Sequence, residues 1–127
     1  MFKIKSLYEA PEKDDGFRIL VERSWPSGVS EDEAKVDLWI KDVAPSNDIR
    51  KWFEDSDKWN EFQKKYLNEL KAKKELIKQL KILEKFHNTL TLVYSTNDEE
   101  QNSTAVLLEL LKKPPKVIKT NIPRIHG

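Results

Sequence analysis

Apolar and polar positions along this chain follow two rhythms. "FKIKSLY" (2–8) sets Phe2, Ile4 and Leu7 or Tyr8 among polar residues, the two-residue period of a strand near a sheet edge. "FRILVE" (17–22) is a compact apolar run between Gly16 and Pro26 and reads as a buried strand, and "TLTLVYS" (89–95) is a second such run. Elsewhere the period lengthens to that of a helix. Ile49, Trp52 and Phe53 form one stripe, and Trp59, Phe62, Tyr66, Leu67 and Leu70 another. Leu76, Ile77, Leu80, Leu83 and Phe86 form a third, and "TAVLLELLKK" closes the series. Val36, Leu38 and Ile40 alternate with Asp37, Trp39 and Lys41, predicting a short strand, with helix continuation as the alternative.

Polar residues mark the boundaries. Ser30 with Glu33 has the capping-box spacing of a brief helix, and Ser46 after Pro45 predicts a cap for "NDIRKWF". The next helices are expected from about Ser56 and from about Lys73 to His87, with Asn88 as a left-handed stop. Asn97 or Asp98 is the expected cap of the closing helix, which Pro114-Pro115 ends before a short strand at Val117-Ile118.

Strands alternating with helices imply a single α/β domain with a mainly parallel sheet flanked by helices, here over residues 1–113, with 114–127 as a basic extension. Ligands of such sheets settle beyond the carboxyl ends of the strands. The two most buried runs end in "ERSWPSG" and "YSTNDEEQN". If those strands are parallel neighbours, Arg23 and Trp25 share a mouth with Tyr94, Asp98 and Asn102, and Arg50 supplies a second cation.

Composition narrows the chemistry. The chain has 127 residues, 38% hydrophobic and 35% charged, so it is globular with a charged surface. Lys and Arg number 23 against 22 Asp and Glu, and this balance gives no global pull toward nucleic acid or anionic membrane. The absence of cysteine excludes disulfides, thiolate metal sites and a Cys nucleophile, and His87 and His126 form no metal-spacing motif, so no metal is expected. "MFKIKSLYEA" is too polar for a signal peptide and no apolar run approaches the ~18 residues of a membrane span. A cytoplasmic location is the expectation.

The stretch "DDGFRILVERSWPSGVSEDEAKVDLWIKDVAPSNDIRKWF", with its Trp-Pro-x-Gly, Ala-Pro-Ser and Trp-Phe elements, resembles the signature of the DUF488 family in its YeaO-like branch. The branch pattern Asp-Arg-Leu-Trp-Pro-Arg-Gly corresponds to Glu22–Gly28, and Leu-Tyr-Ala-Ala-Lys-Asp-Glu-Glu-His-Asn to Val93–Asn102. The resemblance spans roughly residues 3–111 and implies a compact α/β domain in the cytosol, without an activity to transfer. Glu22, Ser27 and Gln101 replace the branch's aspartate, second arginine and histidine, so any acid–base chemistry of that histidine is absent here.

Each candidate has two readings. Arg23 is either a planar fork for a carboxylate or phosphate beside the apolar wall of Trp25, or a scaffold residue paired with Asp37 or Asp98 while Gly28 supplies an unusual backbone angle. Asp98 is a helix cap, or a general base or metal ligand although no carboxylate pair here has a diagnostic metal spacing, and Asn102, one turn on, could face the same crevice. Pro45-Ser46 with Arg50 is a helix start or an anion site. Three functions follow from these readings: binding or transformation of a small anionic ligand, a less favoured nucleic-acid module using the basic tail and exposed tryptophans, or an interaction domain without a small ligand. Catalysis, cofactor and oligomeric state stay unassigned.

Overall fold

A computed structural model of the protein describes residues 1–96 and 102–113. The chain runs β1 (Phe2–Ser6), a single 3-10 turn (Lys13–Asp15), β2 (Phe17–Leu20), α1 (Glu31–Ala34), β3 (Leu38–Trp39), α2 (Asn47–Ser56), α3 (Trp59–Lys71), α4 (Lys74–His87), β4 (Leu90–Tyr94) and α5 (Ser103–Lys112). The strands form one parallel sheet in the order β1-β4-β2-β3. The two apolar runs are therefore parallel neighbours, with Ile19 opposite Leu92 and Leu20 opposite Val93. All five residues of the central strand β4 are buried, which explains its mostly apolar character, and its one hydroxyl among the aliphatic residues, Thr91, donates to the Asp15 carbonyl at 2.6 Å.

Strand alternation divides the core. Ile19, Leu90 and Leu92 pack with Phe62, Tyr66 and Leu70 of α3, Leu80 of α4, and Leu107 and Leu111 of α5. Leu20 and Val93 point the other way and join Leu7 and Ala34 under Trp25, Val29, Val36 and Trp39. Helices thus flank mainly one face. The other is closed by the one-turn α1, whose Ser30–Glu33 capping box forms as expected, and by the Pro26–Gly28 loop, where Gly28 has φ 77°.

That second face carries a buried charged cluster. Lys5 and Arg18 converge on Asp15: the Lys5 Nζ lies 3.1 Å and the Arg18 Nη1 2.7 Å from its carboxylate oxygens. Arg18 also donates from Nε to the Lys35 carbonyl and from Nη2 to the Ala34 carbonyl, anchoring the end of α1. Burial pushes the Asp15 carboxyl up, but the Glu12 backbone N–H, Lys5 and Arg18 outweigh it and hold the group below its ordinary value. For Lys5, burial lowers the ammonium while Glu12 and Asp15 outweigh it and raise it. Gly16 follows at φ 64°, and a Cβ there would sit 2.3 Å from the Thr89 carbonyl oxygen, so only glycine lets β2 start beside β4.

Several boundaries differ from those expected. Asp57 adopts φ 55° and stops α2, so the next helix starts at Trp59 and not near Ser56. Strand β3 forms, but only Leu38 and Trp39 pair with β2. Helix α5 starts at Ser103 and is capped by Asn102, whose side chain accepts the Thr104 N–H at 2.9 Å, in place of the expected Asn97 or Asp98. On α4 the inward stripe ends in His87, stacked on Phe17 at 4.2 Å, while Phe86 turns to solvent at 80% exposure. Asn88 ends that helix at φ 69° as expected. Asp98, Gln101 and the Val117-Ile118 strand lie outside the described residues.

Candidate functional site: a crevice at the carboxyl ends of β2 and β4

Beyond the ends of β2 and β4 the chain encloses a crevice of about 180 Å³. Val21, Glu22 and Arg23 line it from the segment after β2, and Thr96 from the segment after β4. Ala44, Pro45, Arg50, Phe53 and Glu54 line it from α2 and the loop before it, Trp59 and Phe62 from α3, and Ser103 and Thr104 from the start of α5. This is the edge at which a parallel sheet presents its loops and helix starts. The volume falls below the roughly 300–1,000 Å³ of pockets for drug-sized molecules, so a complementary ligand is small.

The rim between β3 and α2 is held from several directions. Arg23 donates from Nη2 to the Ala44 carbonyl at 2.6 Å and from Nε to the Pro45 carbonyl at 3.3 Å, and its Nη1 lies 3.5 Å from the exposed Asp42 carboxylate. Tyr66, deep in the core, donates its hydroxyl to the Val43 carbonyl at 2.6 Å. Burial, and then the nearby Glu69, keep that phenol protonated far above its usual range. The Ser46 N–H donates to Glu69 at 3.0 Å, and the Lys73 ammonium to the Asp42 carbonyl. Ser46 in turn caps α2 by accepting the Ile49 N–H, as expected.

Glu22 ties the two strand ends together. One of its carboxylate oxygens accepts from the Ser95 N–H at 2.7 Å and from the Ser95 hydroxyl at 3.0 Å, and its carbonyl accepts from the Trp39 indole at 2.7 Å. Arg50 is exposed, and its guanidinium makes no hydrogen bond or ion pair among the described residues.

Of the residues expected at the mouth, Arg23 and Arg50 come together on the crevice. The scaffold partner of Arg23 is Asp42 with two carbonyls; Asp37 instead accepts the Arg18 N–H at 2.9 Å. Trp25 is not a wall of the crevice. It lies in the second-face cluster, edge-on to Trp39 at 5.5 Å, with its indole donating to the Val29 carbonyl at 2.6 Å. Phe53, Trp59 and Phe62 form the aromatic wall instead. Tyr94 is buried at the end of β4 and is not a lining residue, and Asn102 lies behind the lining as the α5 cap. Asp98 lies outside the described residues. Sequence reasoning missed Glu22, Glu54 and the aromatic wall. Glu54 stands four residues after Arg50, and that spacing on a predicted helix was the available signal. Among the described residues no group of three or more His, Asp and Glu is placed to hold a metal ion, and no helix is long and apolar enough to cross a membrane.

A small α/β domain with a four-stranded parallel sheet, open at its carboxyl edge to a small crevice of mixed polar and apolar lining, is the class this geometry defines. The chain belongs to the DUF488 family: the family model described as "Inactive DUF488-N3 subclade" matches residues 1–123, reaching well into the segment that follows α5. It is similar to "Uncharacterized protein YeaO" of Escherichia coli, at 36% identity over 109 residues, covering 85% of this chain and 94% of that protein. It is also similar to "Uncharacterized protein Rv3073c" of Mycobacterium tuberculosis, at 34% identity over 110 residues, covering 86% of this chain and 92% of that protein. No solved structure matches the chain.

Proposed function

We propose that this protein binds a small carboxylated or phosphorylated molecule in the crevice, in the cytoplasm, and does not transform it. One observation carries the reading. Arg50, unpaired among the described residues, lines the small crevice together with Arg23, Thr96, Ser103 and Thr104. A charge-assisted contact from an arginine contributes roughly 1.5–3 kcal/mol, enough for weak to moderate binding when the rest of the site is preformed. The rim held by Arg23, Tyr66 and Glu69 supports that condition. Binding without turnover agrees with the family's description as inactive, with Gln101 at the position of the branch's histidine, and with Glu22 engaged by Ser95.

Calorimetric titration of wild type and Arg50→Gln with acetate, pyruvate, citrate, inorganic phosphate and glycerol phosphate tests the proposal. At least one anion binds wild type, comes through prolonged incubation chemically unchanged, and loses about tenfold in affinity with Arg50→Gln, equivalent to about 1.4 kcal/mol. Absence of binding by every anion at millimolar concentration, or equal binding by the variant, overturns it.

A further inference from the structure

Among the described residues, the crevice lining carries two arginines and two carboxylates: Arg23 and Arg50 against Glu22 and Glu54. A site built for a phosphate dianion would hold an excess of cations, because a carboxylate facing such a ligand costs affinity. Here the formal charges of these four residues cancel. Arg50 and Glu54 sit one turn apart on α2, the spacing at which an arginine and a glutamate commonly pair on a helix surface. They form no ion pair, although both line the same mouth. Neither charge is engaged among the described residues, so both are available to a ligand at that mouth. Beside them, Phe53, Trp59 and Phe62 present aromatic surface, with Trp59 stacked on Phe62 at 5.3 Å and Phe53 tilted against Phe62 at 4.8 Å.

We propose that the crevice takes a zwitterion: a free α-amino acid with an apolar side chain, its carboxylate on Arg50, its ammonium on Glu54 and its side chain against the aromatic wall. This rests on the anion-binding reading and narrows it. An amino acid satisfies both free charges at once, whereas a simple carboxylate leaves Glu54 facing an anion and a simple amine leaves Arg50 facing a cation. The small volume favours a ligand of this size over a nucleotide or a peptide.

The test compares L-valine, L-leucine, L-methionine and L-phenylalanine with matched analogues lacking either the ammonium or the carboxylate, such as 4-methylpentanoate and 3-methylbutylamine for leucine. Binding is followed by chemical shifts of the full-length protein's amides. At least one amino acid shifts the signals of Arg50, Glu54 and Thr104, and binds at least tenfold more tightly than both of its analogues. Arg50→Gln and Glu54→Gln, both at exposed positions and both expected to melt with wild type, each weaken it by about tenfold. If the deaminated acid binds as tightly as the amino acid, or Glu54→Gln changes nothing, the zwitterion proposal fails while anion binding stands. If neither the amino acids nor any carboxylate or phosphate binds, both readings fail together.

Discussion

Replacing Arg23 probes whether the crevice rim is held by an arginine fork or merely by a positive charge. In Arg23→Met the aliphatic stem is kept and three contacts vanish. The Asp42 contact, at 3.5 Å to a side chain that is 81% exposed, contributes at most a few tenths of a kcal/mol. The Nε contact to the Pro45 carbonyl is long at 3.3 Å and weak. The 2.6 Å bond to the Ala44 carbonyl dominates, and its loss leaves an acceptor on a buried residue unsatisfied. A hydrogen bond from a charged donor is worth about 1.5–3 kcal/mol, so Arg23→Met loses about 2–3 kcal/mol in all. Arg23→Lys keeps the charge but cannot reach two neighbouring carbonyls from one plane, so it recovers less than half of that loss. Urea unfolding of the three proteins reads the difference as a lowered midpoint at unchanged slope. A loss below about 0.5 kcal/mol in Arg23→Met, the level of an ordinary surface change, refutes the reasoning. Full recovery by lysine refutes the fork.

Tyr66→Phe removes the other main tie to the rim and strands the Val43 carbonyl, so urea unfolding should show a loss of about 1–3 kcal/mol. Gly16→Ala combines a positive φ with a Cβ driven into the Thr89 backbone, and thermal melts should show it destabilised by at least about 2 kcal/mol or failing to fold. Because Asp15 is held below its ordinary value when folded, its contribution is present at neutral pH and drains away as pH falls below roughly 3.9. Asp15→Asn is therefore clearly less stable than wild type at pH 7, and the gap narrows toward pH 2.5 when both are unfolded by urea; a gap constant with pH removes the carboxylate from the explanation. Arg50→Gln, lacking any partner among the described residues, stays within about 0.5 kcal/mol of wild type in the same assay.

What the sequence reveals depends on how local the determining physics is. The pairing of "FRILVE" with "TLTLVYS" follows from burial on both faces, and the starts of α1 and α2 follow from Ser30 and Ser46, whose hydroxyls act within three residues. Arg23 and Arg50 reach one crevice because strand ends and helix starts share an edge in any parallel sheet. The position of Trp25 was not legible in this way. Which side of the sheet the Pro26–Gly28 loop covers depends on the packing of Trp25 against Trp39, a contact between residues fourteen positions apart with α1 between them. The Lys5–Asp15–Arg18 cluster left a readable trace that the apolar pattern overshadowed: a charge inside a strand buried on both faces demands a buried partner. Phe86 misleads for a simpler reason. His87 takes the inward place at the end of α4 by stacking on Phe17, and the neighbouring phenyl ring rotates into solvent.

The proposed ligand site is the mouth at the carboxyl ends of β2 and β4. Diffraction from crystals soaked in 3-bromopropionate measures this most directly, since the anomalous signal of bromine locates the molecule without prior assumption. A peak is expected inside the crevice against Phe53, Trp59 and Phe62, with the carboxylate on Arg50. Bromine found only along the lysine-rich outer faces of α3 and α4, with none in the crevice, would rule this site out.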